Sequence, residues 1–170
     1  MNTNEQIYSM PKIIGKDARV LILGSMPGAQ SLTKQQYYAN PRNQFWRIMY
    51  ALFNQEYVNP SYAEKTNFVK KHQIALWDSI HYCKRQGSLD SAIKDEEPNN
   101  IPGLLRAYPD IRAIAFNGSK SFAVFKKHFK ALIPNSIDLM KMPSTSPTPS
   151  RYPKTLDEKI EEWSKIKNYF

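Results

Sequence analysis

Cysteine is all but missing: Cys83 stands alone among 170 residues. One thiol excludes an internal disulfide and a cysteine-rich metal or iron–sulfur site, and it suits a reducing compartment. The three histidines, His72, His81 and His128, form no cluster, so no metal centre is expected. Neither GxxxxGK[ST] nor GxGxxG occurs, which argues against a nucleotide cofactor, and no cofactor is assigned. Apolar runs stay far short of the roughly 20 residues of a membrane span, and Met1 to Met10 is too polar for a signal peptide. A cytosolic protein is the expectation. Internal repeats and linkers are lacking too, so the reading is one domain, 1–170, with 1–16 as a lead-in segment. Acidic residues are scarce, 15 Asp and Glu against 24 Lys and Arg, for a net charge of +9. That balance points to a polyanionic partner, nucleic acid ahead of a membrane surface, with a merely basic soluble protein as the plain alternative.

What is present is organised around Arg19 to Phe53. Val20-Leu21-Ile22-Leu23 is continuously apolar, the pattern of a strand buried on both faces of a parallel sheet. Gly24-Ser25-Met26-Pro27-Gly28 then turns the chain out at the C-terminal edge, where ligands of open α/β sheets sit. Ala29 to Tyr38 reads as a polar, exposed loop. Asn40 is expected to cap a helix and Pro41 to take its first position, with Phe45, Ile48, Met49, Leu52 and Phe53 as the apolar stripe.

Further strands are read at Ile74 to Trp77, Ile111 to Phe116 and Ser136 to Lys141. Further helices are read at Pro60 to His72, Pro102 to Tyr108, Ser119 through Phe129, and Lys154 to Tyr169. His81 to Glu97 reads as a surface excursion with a short helix. This alternation implies an α/β, three-layer sandwich: a central four-stranded parallel sheet flanked by helices. The loops after the strands then bring Ser25 and Met26, Asp78, Asn117, and Ser144 with Ser146 to one edge and one pocket.

GSMPG followed by QYYANPRNQFW resembles the motif region of the uracil-DNA glycosylase superfamily, whose mismatch-specific branch carries a GINPG turn and an HPGNRFW-like helix start. It is most similar to the hypoxanthine (deoxyinosine) DNA glycosylase branch, with its GSMPG-like turn and QYY-x-HPRN-x-FW run. The resemblance spans Arg19 to Trp163. It implies a monofunctional enzyme of base excision repair that hydrolyses the N-glycosidic bond of a deaminated base swung out of DNA, hypoxanthine first and uracil opposite guanine second. The implied partner is lesion-containing DNA at the nucleoid, and the implied state is a monomer.

Such hydrolysis needs a held water, stabilised charge and a gripped base more than a strong nucleophile. The resemblance gives catalysis to Asn43 and base binding to Asn117; Asp78 stands where other members carry the Asn that reads uracil, and Tyr38 matches the aromatic that stacks on the base. Ser25 and Met26 complete the base pocket. Met26 replaces an Asp or Asn of strongly activated members, and a thioether cannot orient water, which counts against efficient uracil removal. Met142 to Pro147 resembles the loops that pinch phosphates. It implies Ser144, Ser146, Arg42 and Arg151 as DNA contacts and Pro147 to Arg151 as the wedge. No lysine matches a position for a Schiff base.

Without the resemblance, Asn43 reads as a helix-capping residue, Asn117 as a turn residue before Gly118 and Asp78 as an N-cap. Tyr38 then reads as a core aromatic, and the proline loop as a surface connector. Two rival functions stay open: a DNA-binding module without catalysis, motivated by Met26, and a hydrolase of a small phosphorylated metabolite at the Gly24 to Gly28 turn. Asn43→Ala and Asn117→Ala are both expected to cost activity with little loss of stability.

Overall fold

The computed structural model describes residues 5–170; positions 1–4 of the lead-in lie outside the described residues. The chain runs β1 (Glu5–Tyr8), β2 (Val20–Gly24), α1 (Ala29–Lys34), α2 (Phe45–Leu52), α3 (Tyr62–Lys71), β3 (Ile74–Asp78), β4 (Ile80–Arg85) and β5 (Lys94–Pro98). It continues through α4 (Ile101–Ala107), β6 (Ala113–Asn117), α5 (Ser119–Phe129), β7 (Asp138–Met142) and α6 (Leu156–Trp163). Three 3₁₀ segments, Asp90–Ala92, Lys130–Leu132 and Ser164–Tyr169, complete the described elements.

β2 lies inside a four-stranded parallel sheet of order β3-β2-β6-β7, with Leu23 level with Trp77 on one side and Phe116 on the other. All five of its residues are buried, as a continuous apolar run demands. Val20 and Ile22 point into a core shared with α2, α3 and α6, while Leu21 and Leu23 point into one shared with α4 and α5. Helices therefore cover both faces, and the expected three-layer α/β sandwich is what the chain forms.

A second sheet was not expected. His81 to Glu97 is no surface excursion: β4 and β5 form an antiparallel hairpin, and β1 pairs with the other edge of β4. Few side chains signal it, because β5 is a charged edge strand; of the hairpin's apolar side chains Ile80, Cys83 and Ile93 turn fully inward, against Met26 and Val124. The short helix placed there is the 3₁₀ turn Asp90–Ala92. The lead-in supplies β1 and a bridge from Ile13 to Leu76.

Smaller corrections concern helix ends. Asn40 does not cap α2 and Pro41 does not open it; the helix begins at Phe45. Asn40 Oδ1 accepts from Arg42 N–H at 3.0 Å and Asn43 Oδ1 from Phe45 N–H at 2.9 Å, so side-chain acceptors hold these residues in local turns instead. The loop from Ala29 contains α1, which ends at Gln35 in the left-handed conformation, φ 53°. The last helix tightens into 3₁₀ after Trp163.

One residue, Ser79, links β3 to β4. Its N–H donates to Gly24 O at 2.8 Å and its hydroxyl to Ser121 O at 3.0 Å, while Asn99 Nδ2 donates to Asp78 O at 2.9 Å. The two sheets are thereby joined at the C-terminal edge of the parallel one.

Candidate active site

The ends of β2, β3 and β6 open into a cavity of about 480 Å³. Ser25, Met26, Tyr38, Asn43, Asp78, Asn117, Ser144, Ser146 and Pro147 all line it, although they come from five separate segments. Arg42 and Arg151 do not line it; both are exposed, and Arg151 follows Ser150, which does. Among the described residues no group of acidic, His or Cys side chains could hold a metal ion.

Asp78 ends β3 and is 3% exposed, with Oδ2 sealed from solvent and without a hydrogen-bond partner. A Cβ on neighbouring Gly24 would fall 2.7 Å from Asp78 Oδ1 and 3.4 Å from the Tyr38 hydroxyl, so glycine is what lets these groups meet. Burial pushes the carboxyl up to about 8, opposed by the Arg85 guanidinium and assisted by Asp90. At neutral pH Asp78 is therefore mainly the neutral acid, with one O–H donor beside its carbonyl acceptor. Burial first and Asp78 second also raise the Tyr37 and Tyr38 phenols. Tyr38 stacks on Phe45 with centroids 3.9 Å apart, its backbone left-handed at φ 55°, an uncommon conformation for an aromatic residue.

The two amides are fixed differently. Asn117 Nδ2 donates to Thr145 Oγ1 at 2.9 Å, and its Oδ1 accepts from Thr145 N–H at 3.0 Å. Its orientation is thus set by the proline loop, and one N–H remains for a ligand. Asn43 uses Oδ1 to accept from Phe45 N–H, which locks the amide at the start of α2. The loop is itself tied down: Trp163 Nε1 donates to Pro143 O at 3.0 Å and Gln44 N–H to Thr145 O at 3.0 Å. Ser144 and Ser146 form local turns, their hydroxyls accepting from the N–H groups of Ser146 and Thr148 at 3.2 Å.

The Gly24 to Gly28 turn rests on the hairpin. Met26 is 6% exposed and packs with Ile80, Cys83, Ile93 and Val124, so its thioether anchors the turn. Ser25 Oγ donates to Asp90 Oδ1 at 2.6 Å. Sequence reasoning missed Thr145, Asp90 and the rest of the hairpin tip. Thr145 carried a faint signal, a hydroxyl between two serines already singled out; the hairpin tip carried none once the hairpin was unread.

Fold and site together define an α/β protein whose cavity, lined by amides and hydroxyls and by no Lys or Arg, sits at a sheet edge. A family model described as the uracil DNA glycosylase superfamily matches residues 11–167. Two archaeal proteins called hypoxanthine DNA glycosylase are similar over 111 residues: one from Methanosarcina acetivorans at 40% identity and one from Methanosarcina barkeri at 38%. In each case the match covers 65% of this chain and 70% of the relative. The solution NMR structure of a candidate uracil DNA glycosylase from Methanosarcina acetivorans superposes with TM-score 0.81 and 32% identity, over 95% of this chain and 96% of that one. The chain belongs to the uracil DNA glycosylase superfamily, and so to the DNA glycosylases. No helix among the described residues is long and apolar enough to cross a membrane.

Proposed function

We propose that the enzyme removes a deaminated base from DNA, hypoxanthine in preference and uracil opposite guanine second, as a monofunctional step of base excision repair. The observation that carries this reading is the convergence of Asn43, Asp78 and Asn117 on one 480 Å³ cavity. That size suits a single small ligand. In the reaction the bond between the anomeric carbon and the base nitrogen breaks, the departing base takes the bonding electrons, and water adds its hydroxyl to the sugar while its proton ends on the base nitrogen. Asn43 orients that water from the start of α2. Asn117 donates its free N–H to the base as it gains charge. Asp78, as the neutral acid, pairs its donor and acceptor with the adjacent C=O and N–H that deamination creates, and Tyr38 packs against the ring. Ser144, Ser146, Arg42 and Arg151 take the phosphates on either side. The names of the two Methanosarcina relatives support hypoxanthine as the preferred base.

A second reading, duplex binding without catalysis, is favoured by Met26, which offers no group to activate water and is packed away in the hairpin core. Base release from matched duplexes carrying hypoxanthine or uracil separates the two. Free hypoxanthine from the wild type, and a rate about a hundredfold lower in Asn43→Ala, is expected for an enzyme that loses its water-positioning group. Tight duplex binding with no base released from any lesion would establish the second reading instead.

A further inference from the structure

The cavity has a wall that no motif announced: Ser88 to Ser91 at the hairpin tip, which is reached from the β3 edge of the parallel sheet while the proline loop leaves its β7 edge. The tip is held unusually firmly for a surface turn. Arg85, 2% exposed, donates from Nη2 to Pro27 O at 2.6 Å and from Nε to Gly87 O at 2.8 Å. Ser88 Oγ accepts from Ala29 N–H at 2.9 Å, and Asp90 takes the Ser25 hydroxyl. Gly87 turns the chain at φ 75°, which a residue with a Cβ adopts only with strain. Every polar side chain named here is engaged inward, toward the Ser25 to Ala29 segment. Leu89 is not: it lines the cavity yet is 51% exposed, while the other large apolar lining residues, Met26, Tyr37 and Tyr38, are buried or half-buried.

We propose that Leu89 is a wedge for duplex DNA, inserted into the base stack beside the extruded nucleotide from the side opposite the proline loop. The inference rests on the glycosylase reading above. Extruding a base from a duplex costs a few kcal/mol of stacking and pairing, and an apolar side chain held rigidly at the mouth offsets that cost by filling the vacated step. Rigidity matters here, since a mobile leucine would lose entropy on insertion. The partner is the base stack and not a phosphate, because the neighbouring Asp90 would repel a phosphate. Leu89 thus lowers the cost of flipping and leaves the chemical step alone.

Single-turnover release of hypoxanthine is measured on a matched duplex and on the same strand unpaired, with 2-aminopurine next to the lesion as a fluorescent report of unstacking. Leu89→Ala is expected to slow duplex cleavage by about tenfold, to change the single strand by less than about twofold, and to lose the fluorescence rise. Leu89→Met, which keeps an apolar reach, is expected to behave as the wild type. Equal loss on both substrates would make Leu89 a pocket-shaping residue, and no loss on the duplex would make it an ordinary exposed side chain; either overturns the wedge. So does a wild type that leaves the fluorescence of the duplex unchanged. Wild-type unstacking that disappears in Leu89→Ala, with no base released, would uphold the wedge while removing the glycosylase reading.

Discussion

At the scale of single residues, Asp78 is the most informative. A buried carboxyl with an unpartnered oxygen is costly when charged, and its proton affinity rises accordingly, to about 8 from an ordinary 3.8. Because the folded value exceeds the unfolded one, folding favours the protonated form. The stability this carboxyl permits is complete below pH 3.8, falls as pH rises through the window up to about 8, and is level above it. That is the reverse of an ion-paired carboxylate. Asp78→Asn removes the titratable proton while keeping an acceptor and a donor, at the cost of a second N–H in a sealed site. Its thermal midpoint should therefore change little between pH 5 and 8, where that of the wild type declines. On the functional side, base release by the wild type should fall above about pH 8, and release by Asp78→Asn should not. Parallel pH profiles for the two proteins in melting and in base release would show that the carboxyl titrates normally and that the neutral-acid account is wrong.

At the scale of elements, the proline loop is a strut. Sequence reasoning treats Asn117 as a ligand-binding amide whose removal spares the fold, but two hydrogen bonds to Thr145 make it a structural joint as well. Thr145 is 1% exposed, so Thr145→Val conserves volume and deletes only the Oγ1 partner of Asn117. A buried amide N–H left unpaired costs about 1–3 kcal/mol, which urea unfolding would read directly. If the loop grips DNA as proposed, KM for duplex should rise more than kcat falls, because Asn43 keeps its place. Asn117→Ala is expected to lose both stability and activity, unlike Asn43→Ala, which gives up only one capping bond to Phe45 N–H.

The same joint marks what was legible beforehand. The strands of the parallel sheet could be read because burial on both faces forces unbroken apolar runs such as Val20 to Leu23. Their loops, and with them Asp78 and Asn117 as cavity residues, followed from topology, whereas Asn43 came from the family resemblance. The hairpin sheet could not be read, since its edge strands β1 and β5 are short and largely polar, and the inward apolar signal is confined to Ile7 on β1, Ile80 and Cys83 on β4 and Ile93 ahead of β5. The start of α2 was misplaced because Asn40 and Asn43 are equally good at capping a helix and at closing a turn, and only the neighbouring residues decide which.

At the scale of the whole molecule, charge and architecture bear on the same question. A net charge of +9 on 170 residues attracts a polyanion from a distance, whereas the cavity itself is lined by no Lys or Arg and carries the Asp90 carboxylate at its hairpin wall. On the proposed function, affinity belongs to the basic exterior, including exposed Arg42 and Arg151, and chemistry to the amides of the cavity. Counterion release makes this division measurable, since the logarithm of duplex affinity falls with the logarithm of salt concentration by about 0.9 for each phosphate neutralised. With roughly four phosphates engaged, raising salt from about 50 to about 200 mM should weaken duplex binding by about two orders of magnitude. Arg42→Ala and Arg151→Ala should each lower that slope by about one, weaken all sequences alike, and leave single-turnover cleavage at saturating enzyme unchanged. A hydrolase of a small phosphorylated metabolite would behave otherwise: its KM would respond weakly to salt, and arginines outside the cavity would not affect it. Titration of both variants against a lesion-free duplex at several salt concentrations decides between the two, and unaltered slopes would mean that DNA approaches by a face other than the one carrying the cavity.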